Sequence, residues 1–124
     1  MARLLVVMDD EHARALLVAV LRADGYTVDP AATRAEALSL IDRHGYALVV
    51  SALRMPDLDG PALSAALEAR WPLGMPALIF VTQPAFMPDL ARFLMESAAP
   101  LLRWPTRPAE ISRIVARSLA PTPA

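Results

Sequence analysis

Hydrophobic positions along the chain fall into short continuous runs separated by longer amphipathic stretches. The first run, Arg3–Met8 (RLLVVM), is almost uninterrupted in aliphatics and meets Asp9-Asp10. Such a run suits a strand covered on both faces, where no alternation with polar residues is required. From Glu11 to Ala23 the apolar Ala15, Leu16, Ala19, Val20 and Ala23 recur at helical spacing, and Gly25 supplies a stop. Tyr26–Asp29 reads as a second short strand. Thr33 has Glu36 three residues on, the pattern of a reciprocal helix cap. It predicts a helix to about Arg43, ended by Gly45. Tyr46–Ser51 (YALVVS) is a third strand, and Pro61 sits where a first helical residue is favoured. The helix it opens continues through Ala62–Arg70 to Pro72. Ala77–Val81 (ALIFV) is a fourth strand, Pro88–Ser97 a helix, and Leu101–Trp104 a fifth strand. The last helix runs from Pro108 or Ala109 to Leu119, with Ile111, Ile114, Val115 and Leu119 on one face. The tail at 121–124 (PTPA) is expected to fray.

Strands alternating with helices predict an α/β fold of parallel strands joined by right-handed crossovers. Five βα units, (βα)5, are too few for an eight-fold barrel. The expected architecture is a single doubly wound parallel sheet of the flavodoxin type, strand order 2-1-3-4-5, spanning residues 1–120. In such sheets the site lies at the carboxyl ends of the central strands. That rule gathers Asp9-Asp10, Ser51-Ala52, Thr82 and Trp104 around one crevice.

Composition narrows the picture. The chain has 124 residues, 56% of them hydrophobic, enough for one domain with a real core and too apolar for disorder. Arg, Asp or Pro interrupts every apolar run before transmembrane length, and MARLLVVMDDEH is a poor signal peptide. A cytoplasmic location is expected, with no membrane partner. The net charge of −1 offers no broad basic field, so no nucleic acid partner is expected. There is no Cys, hence no disulfide framework and no thiolate metal site. His12 and His44 lack metal-ligand spacing and read as surface residues. All twelve basic residues are Arg.

Four segments, taken in order, resemble the receiver domain of bacterial two-component response regulators. VVMDDE is similar to the first-strand acidic motif, LRMPDLDG to the loop after the phosphoacceptor Asp, FVT at 80–82 to the fourth-strand Ser/Thr motif, and LLRWPTRPAEI to the fifth-strand segment. EARWPLGMPALIFVT and APLLRWPTRPAEI look most like the receiver modules of hybrid histidine kinases. The resemblance implies a phosphorelay signalling role without enzymatic turnover. It assigns Asp9 and Asp10 to the acidic pair that holds Mg²⁺, Thr82 to the phosphate-binding hydroxyl, and Pro105 to a usually cis proline. It places the acceptor position, four residues before Pro56, at Ala52. The Lys position falls at Trp104, and the aromatic switch position at Leu101.

A methyl group is neither a nucleophile nor a metal ligand. With two carboxylates left, Mg²⁺ is expected to bind weakly at Asp9 and Asp10. Trp104 offers bulk, an indole N–H and an aromatic face in place of a fixed cation, and is positioned to fill the vacated space. Ser51 and Arg103 lie one residue off on their strands and so point away. Asp57 and Asp59 read as solvated turn residues, and Arg54, which can reach over from the loop, is disfavoured as a surrogate for the Lys. The residues therefore predict a pseudo-receiver that signals by interaction, through the faces of the 88–97 and 107–119 helices. Its partner would be a histidine kinase, an output domain or a second copy in a homodimer. An alternative reading takes the chain as an ordinary phosphoacceptor receiver whose acceptor Asp was substituted by Ala52; Trp104 then has no explanation. A flavin or nucleotide site on the same fold is disfavoured, because MDDEH is acidic where a phosphate cradle needs glycines or hydroxyls.

Overall fold

The computed structural model describes residues 2–82 and 88–120. Its elements alternate without exception: β1 (Arg3–Val7), α1 (Glu11–Ala23), β2 (Thr27–Ala31), α2 (Arg34–Arg43), β3 (Leu48–Ala52), α3 (Gly60–Arg70), β4 (Ala77–Thr82), α4 (Pro88–Glu96), β5 (Leu101–Arg103) and α5 (Pro108–Leu119). The strands form one parallel sheet in the order β2-β1-β3-β4-β5, as expected. The tail at 121–124 lies outside the described residues.

The aliphatic runs explain the layers. Leu4–Val7 of β1 and Leu48–Val50 of β3 are fully buried, because helices cover both faces of the sheet. The helices supply Leu17 and Leu21 from α1, Ile41 from α2, Leu63 and Leu67 from α3, and Ile111 and Val115 from α5. Local signals set the helix ends. Thr33 Oγ1 accepts the Glu36 N–H at 3.2 Å, and Glu36 reaches back at 3.2 Å to the Ala32 N–H, one residue before the cap. Gly25, at φ 98°, makes the left-handed turn after α1.

Boundaries of β2, α2 and β3 differ from the sequence reading. β2 continues through Pro30 to Ala31; it is an edge strand, where a missing N–H breaks no ladder bond. Gly45 does not stop α2, which is capped by His44 in extended conformation. β3 begins two residues later than expected, at Leu48. Tyr46 instead donates its hydroxyl to Asp29 at 2.8 Å, and Arg3 meets the same Asp29 oxygen at 2.8 Å. Burial and that carboxylate both push the Tyr46 phenol well above its ordinary value.

The position of α4 rests on a close approach. The Phe93 ring meets Phe80 edge-on, with centroids 5.5 Å apart at 71°. Gly60 opens the space beneath: a Cβ there would lie 2.9 Å from Leu53 Cδ1, 3.1 Å from Phe93 and 3.2 Å from Phe80.

Two predictions follow from this packing. Gly60→Ala overfills the contact and should lower stability by about 1–3 kcal/mol in urea unfolding; an unchanged midpoint would show that α4 is not seated there. The Tyr46 phenol titrates higher folded than unfolded. Its contribution is therefore complete below the unfolded value of about 10 and lost as pH rises through the folded one. Tyr46→Phe should flatten the alkaline fall in stability, measured as melting temperature against pH.

Candidate functional site

The parallel register brings the carboxyl ends of four strands together. Val7 pairs with Ser51, Ala52 with Val81, and Thr82 with Arg103. The loops leaving these ends are then sewn to one another. The Met8 N–H donates to the Ala31 carbonyl at 2.9 Å, the Leu53 N–H to Val81 at 2.9 Å, and the Trp104 N–H to Thr82 at 2.8 Å.

The two acids after β1 have different duties. Asp10 is the N-cap of α1, and its Oδ1 accepts the Ala13 N–H at 2.8 Å. Asp9 is exposed, and among the described residues its carboxylate has no hydrogen-bond or ion-pair partner. Arg14 pins the turn between them by donating to the carbonyls of Met8 (2.9 Å) and Asp9 (3.3 Å).

The loop after β3 is equally ordered. Met55 and Leu58 are buried, and the Met55 N–H donates to the Leu58 carbonyl at 2.8 Å. The Gly60 N–H returns to Leu53 at 2.8 Å. Asp59 is not a plain solvated turn residue, as the sequence reading had it. It caps α3 through the Ala62 N–H at 2.9 Å. Asp57 accepts the Arg34 N–H at 3.1 Å, tying the loop to α2.

These loops enclose a cleft of about 370 Å³. Met8, Ala13, Ala52, Leu53 and Val81 form its apolar part; Asp9, Asp10, Arg54, Thr82 and Trp104 its polar part. Five of the residues anticipated from sequence, Asp9, Asp10, Ala52, Thr82 and Trp104, thus meet in one place. Pro105 follows in a cis peptide bond to Trp104 and is not in the lining. Ser51 turns away as expected; it is buried, with its hydroxyl on the Ala52 carbonyl at 2.9 Å.

Two expectations need correction. Trp104 does not fill the space at Ala52: it is only partly buried and forms a wall of a cleft that remains open. Arg54, disfavoured from sequence as a cation reaching this site, is in the lining. Arg54 also bonds Asp89 in the first turn of α4, and its guanidinium holds the Asp89 carboxyl below the ordinary value.

Among the described residues no three His, Cys, Asp or Glu side chains converge as a metal site. The donor set at the cleft is two carboxylates, one engaged as a cap. Mg²⁺ asks for near-octahedral oxygen ligation and keeps its waters readily. Asp9 and Asp10 are the residues of the lining that would hold it.

The structure is thus a five-stranded doubly wound parallel sheet with an acid-bearing cleft at its carboxyl end. The response regulator receiver domain model matches residues 4–116, and the chain belongs to that family. It is 40% identical over 88 residues to the transcriptional regulatory protein GlrR of Escherichia coli, covering 71% of this chain and 19% of that protein. The chain therefore corresponds to about a fifth of that relative's length. Among solved structures, the receiver domain of the hybrid histidine kinase CckA is 27% identical, with a TM-score of 0.77 over 95% of this chain and 99% of that one. The receiver domain of a Pseudomonas aeruginosa sensor histidine kinase, with a magnesium ion coordinated in its active-site cleft, is 26% identical. Its TM-score is 0.81 over 95% of this chain and 97% of that one.

The division of labour between the acids is testable. Asp10→Ala removes a cap and should cost about 0.5–2 kcal/mol. Asp9→Ala removes no contact and should stay within about 0.5 kcal/mol. Equal losses in chemical unfolding would contradict the assignment.

Proposed function

We propose that this chain is a pseudo-receiver: a two-component receiver module that works by protein–protein interaction and does not accept a phosphoryl group. The observation that carries the reading is Ala52. It ends β3, is buried, and lines the cleft beside Asp9 and Asp10. A receiver becomes phosphorylated when a carboxylate oxygen at this strand end attacks the phosphorus of a kinase phosphohistidine or a small phosphodonor, forming an acyl phosphate as the bond from phosphorus to the donor breaks. The Ala52 methyl has no electron pair to give. Trp104 stands where the resemblance expects the Lys that neutralises phosphoryl oxygens, and carries no charge. The nearest cation in the lining, Arg54, is committed to Asp89. Thr82 supplies a hydroxyl, which orients a phosphoryl group but cannot replace either lost partner.

Mg²⁺ is expected to bind weakly through Asp9 and Asp10. The kinase receiver that holds magnesium supports this location, and the missing third carboxylate supports the low affinity. The partner is a protein: a histidine kinase, an output domain or a second copy. The regulator and kinase relatives support these classes. The faces of α4 and α5 are the proposed docking surface. Met95 on α4 (87% exposed) and Leu101 on β5 (43%) are exposed large hydrophobics, and α4 and α5 also carry the charged Arg92 and Arg113. Among the described residues no helix is long and apolar enough to cross a membrane, and the proposed setting is the cytoplasm.

Incubation with Mg²⁺ and acetyl phosphate, read by intact mass, tests the reading. The chain should gain no phosphoryl group, and the double variant Ala52→Asp with Trp104→Lys should gain one. A phosphoryl adduct on the unaltered chain would sink the proposal, and its position, at Ser51, Asp57 or elsewhere, would identify a rerouted acceptor.

A further inference from the structure

The cleft keeps the dimensions of a small-molecule site. Its volume of about 370 Å³ falls inside the range of ligand pockets. Its charges are unevenly committed. Asp10 is engaged by the Ala13 N–H. The charge of Arg54 is offset by Asp89, and Arg14, itself outside the lining, donates to the backbone carbonyls of Met8 and Asp9. Asp9 is left as the charged lining group without a partner among the described residues. Trp104 and the methyl of Ala52 line the same space.

We propose that this cleft binds a small organic monocation, a primary ammonium on a flat apolar body. The ammonium would meet the Asp9 carboxylate, and the body would lie against the Trp104 indole. Each feature selects for this class. An indole attracts cations to its face and apolar groups to its body. Ala52 adds apolar wall where a carboxylate would add a third charge and favour a hard ion. An inorganic divalent ion finds two side-chain carboxylates and is expected to be held weakly. An organic anion meets Asp9 and Asp10. The proposal rests on the phosphate-blind reading, since an acyl phosphate at position 52 would fill the same space.

The test is titration of the isotope-labelled chain with 2-phenylethylamine, with phenylacetate as the control of like shape and opposite charge. The amine should shift the Trp104 indole N–H and the amides around Asp9, Asp10 and Ala52 saturably, in the millimolar range or tighter. Phenylacetate should leave them in place. Asp9→Asn removes one charge-assisted contact without touching the α1 cap, and should weaken the amine about tenfold. Trp104→Leu should weaken it similarly; if that variant fails to fold, Asp9→Asn decides alone. The proposal is overturned if the amine does not saturate, if phenylacetate binds equally well, or if Asp9→Asn changes nothing. Intact mass after acetyl phosphate on the same sample separates the two readings. An adduct with amine binding overturns the phosphate-blind reading alone. No adduct and no amine binding overturns the ligand alone.

Discussion

The register of the central parallel strands is the constraint on which everything else depends. β1 and β3 are buried on both faces, so neither can carry a polar group along its length without a partner. Polar chemistry is therefore displaced to the strand ends. Because Val7 lies opposite Ser51 and Ala52 opposite Val81, those ends come out level, and their loops share one crevice. A one-residue slip would turn Ala52 away from the cleft and bring Ser51 in.

The β3–α3 loop keeps its shape by contacts that do not depend on the residue at 52. Its turn is closed by the Met55–Leu58 hydrogen bond, anchored by two buried side chains and finished by the Asp59 cap. None of these contacts involves the side chain at 52. The motif is held by folding requirements, and its presence speaks for the architecture more than for phosphoryl transfer. Asp10 behaves similarly, since it caps α1 whether or not a metal binds.

The cleft and the proposed partner face are physically joined through α4. Arg54 reaches from the cleft lining to Asp89, and Phe93 packs on Phe80 over Gly60. The ion pair is solvent-exposed and contributes little to stability. Its value is geometric, because it links the loop at the cleft to the first turn of the helix that presents Met95. A ligand that redirected Arg54 would alter that link, and a two-state element is biased only by such differences in contact.

The sequence by itself determined the order and kind of the elements. Uninterrupted aliphatic runs can be stable only as doubly covered strands, and helical periodicity with Thr33, Gly25 and Pro61 as punctuation leaves little freedom between them. It also determined which residues reach the carboxyl end, since that follows from chain order in a doubly wound sheet. Tertiary structure alone decided how those residues are used. That the Asp10 carboxylate is occupied as a cap while the Asp9 carboxylate has no hydrogen-bond or ion-pair partner among the described residues, that Arg54 joins the lining and pairs with Asp89 across thirty-five positions of sequence, and that Trp104 walls the cleft without filling it all depend on side-chain directions and distances between separate loops. Local pattern carries no record of those, because each is set by where another segment packs.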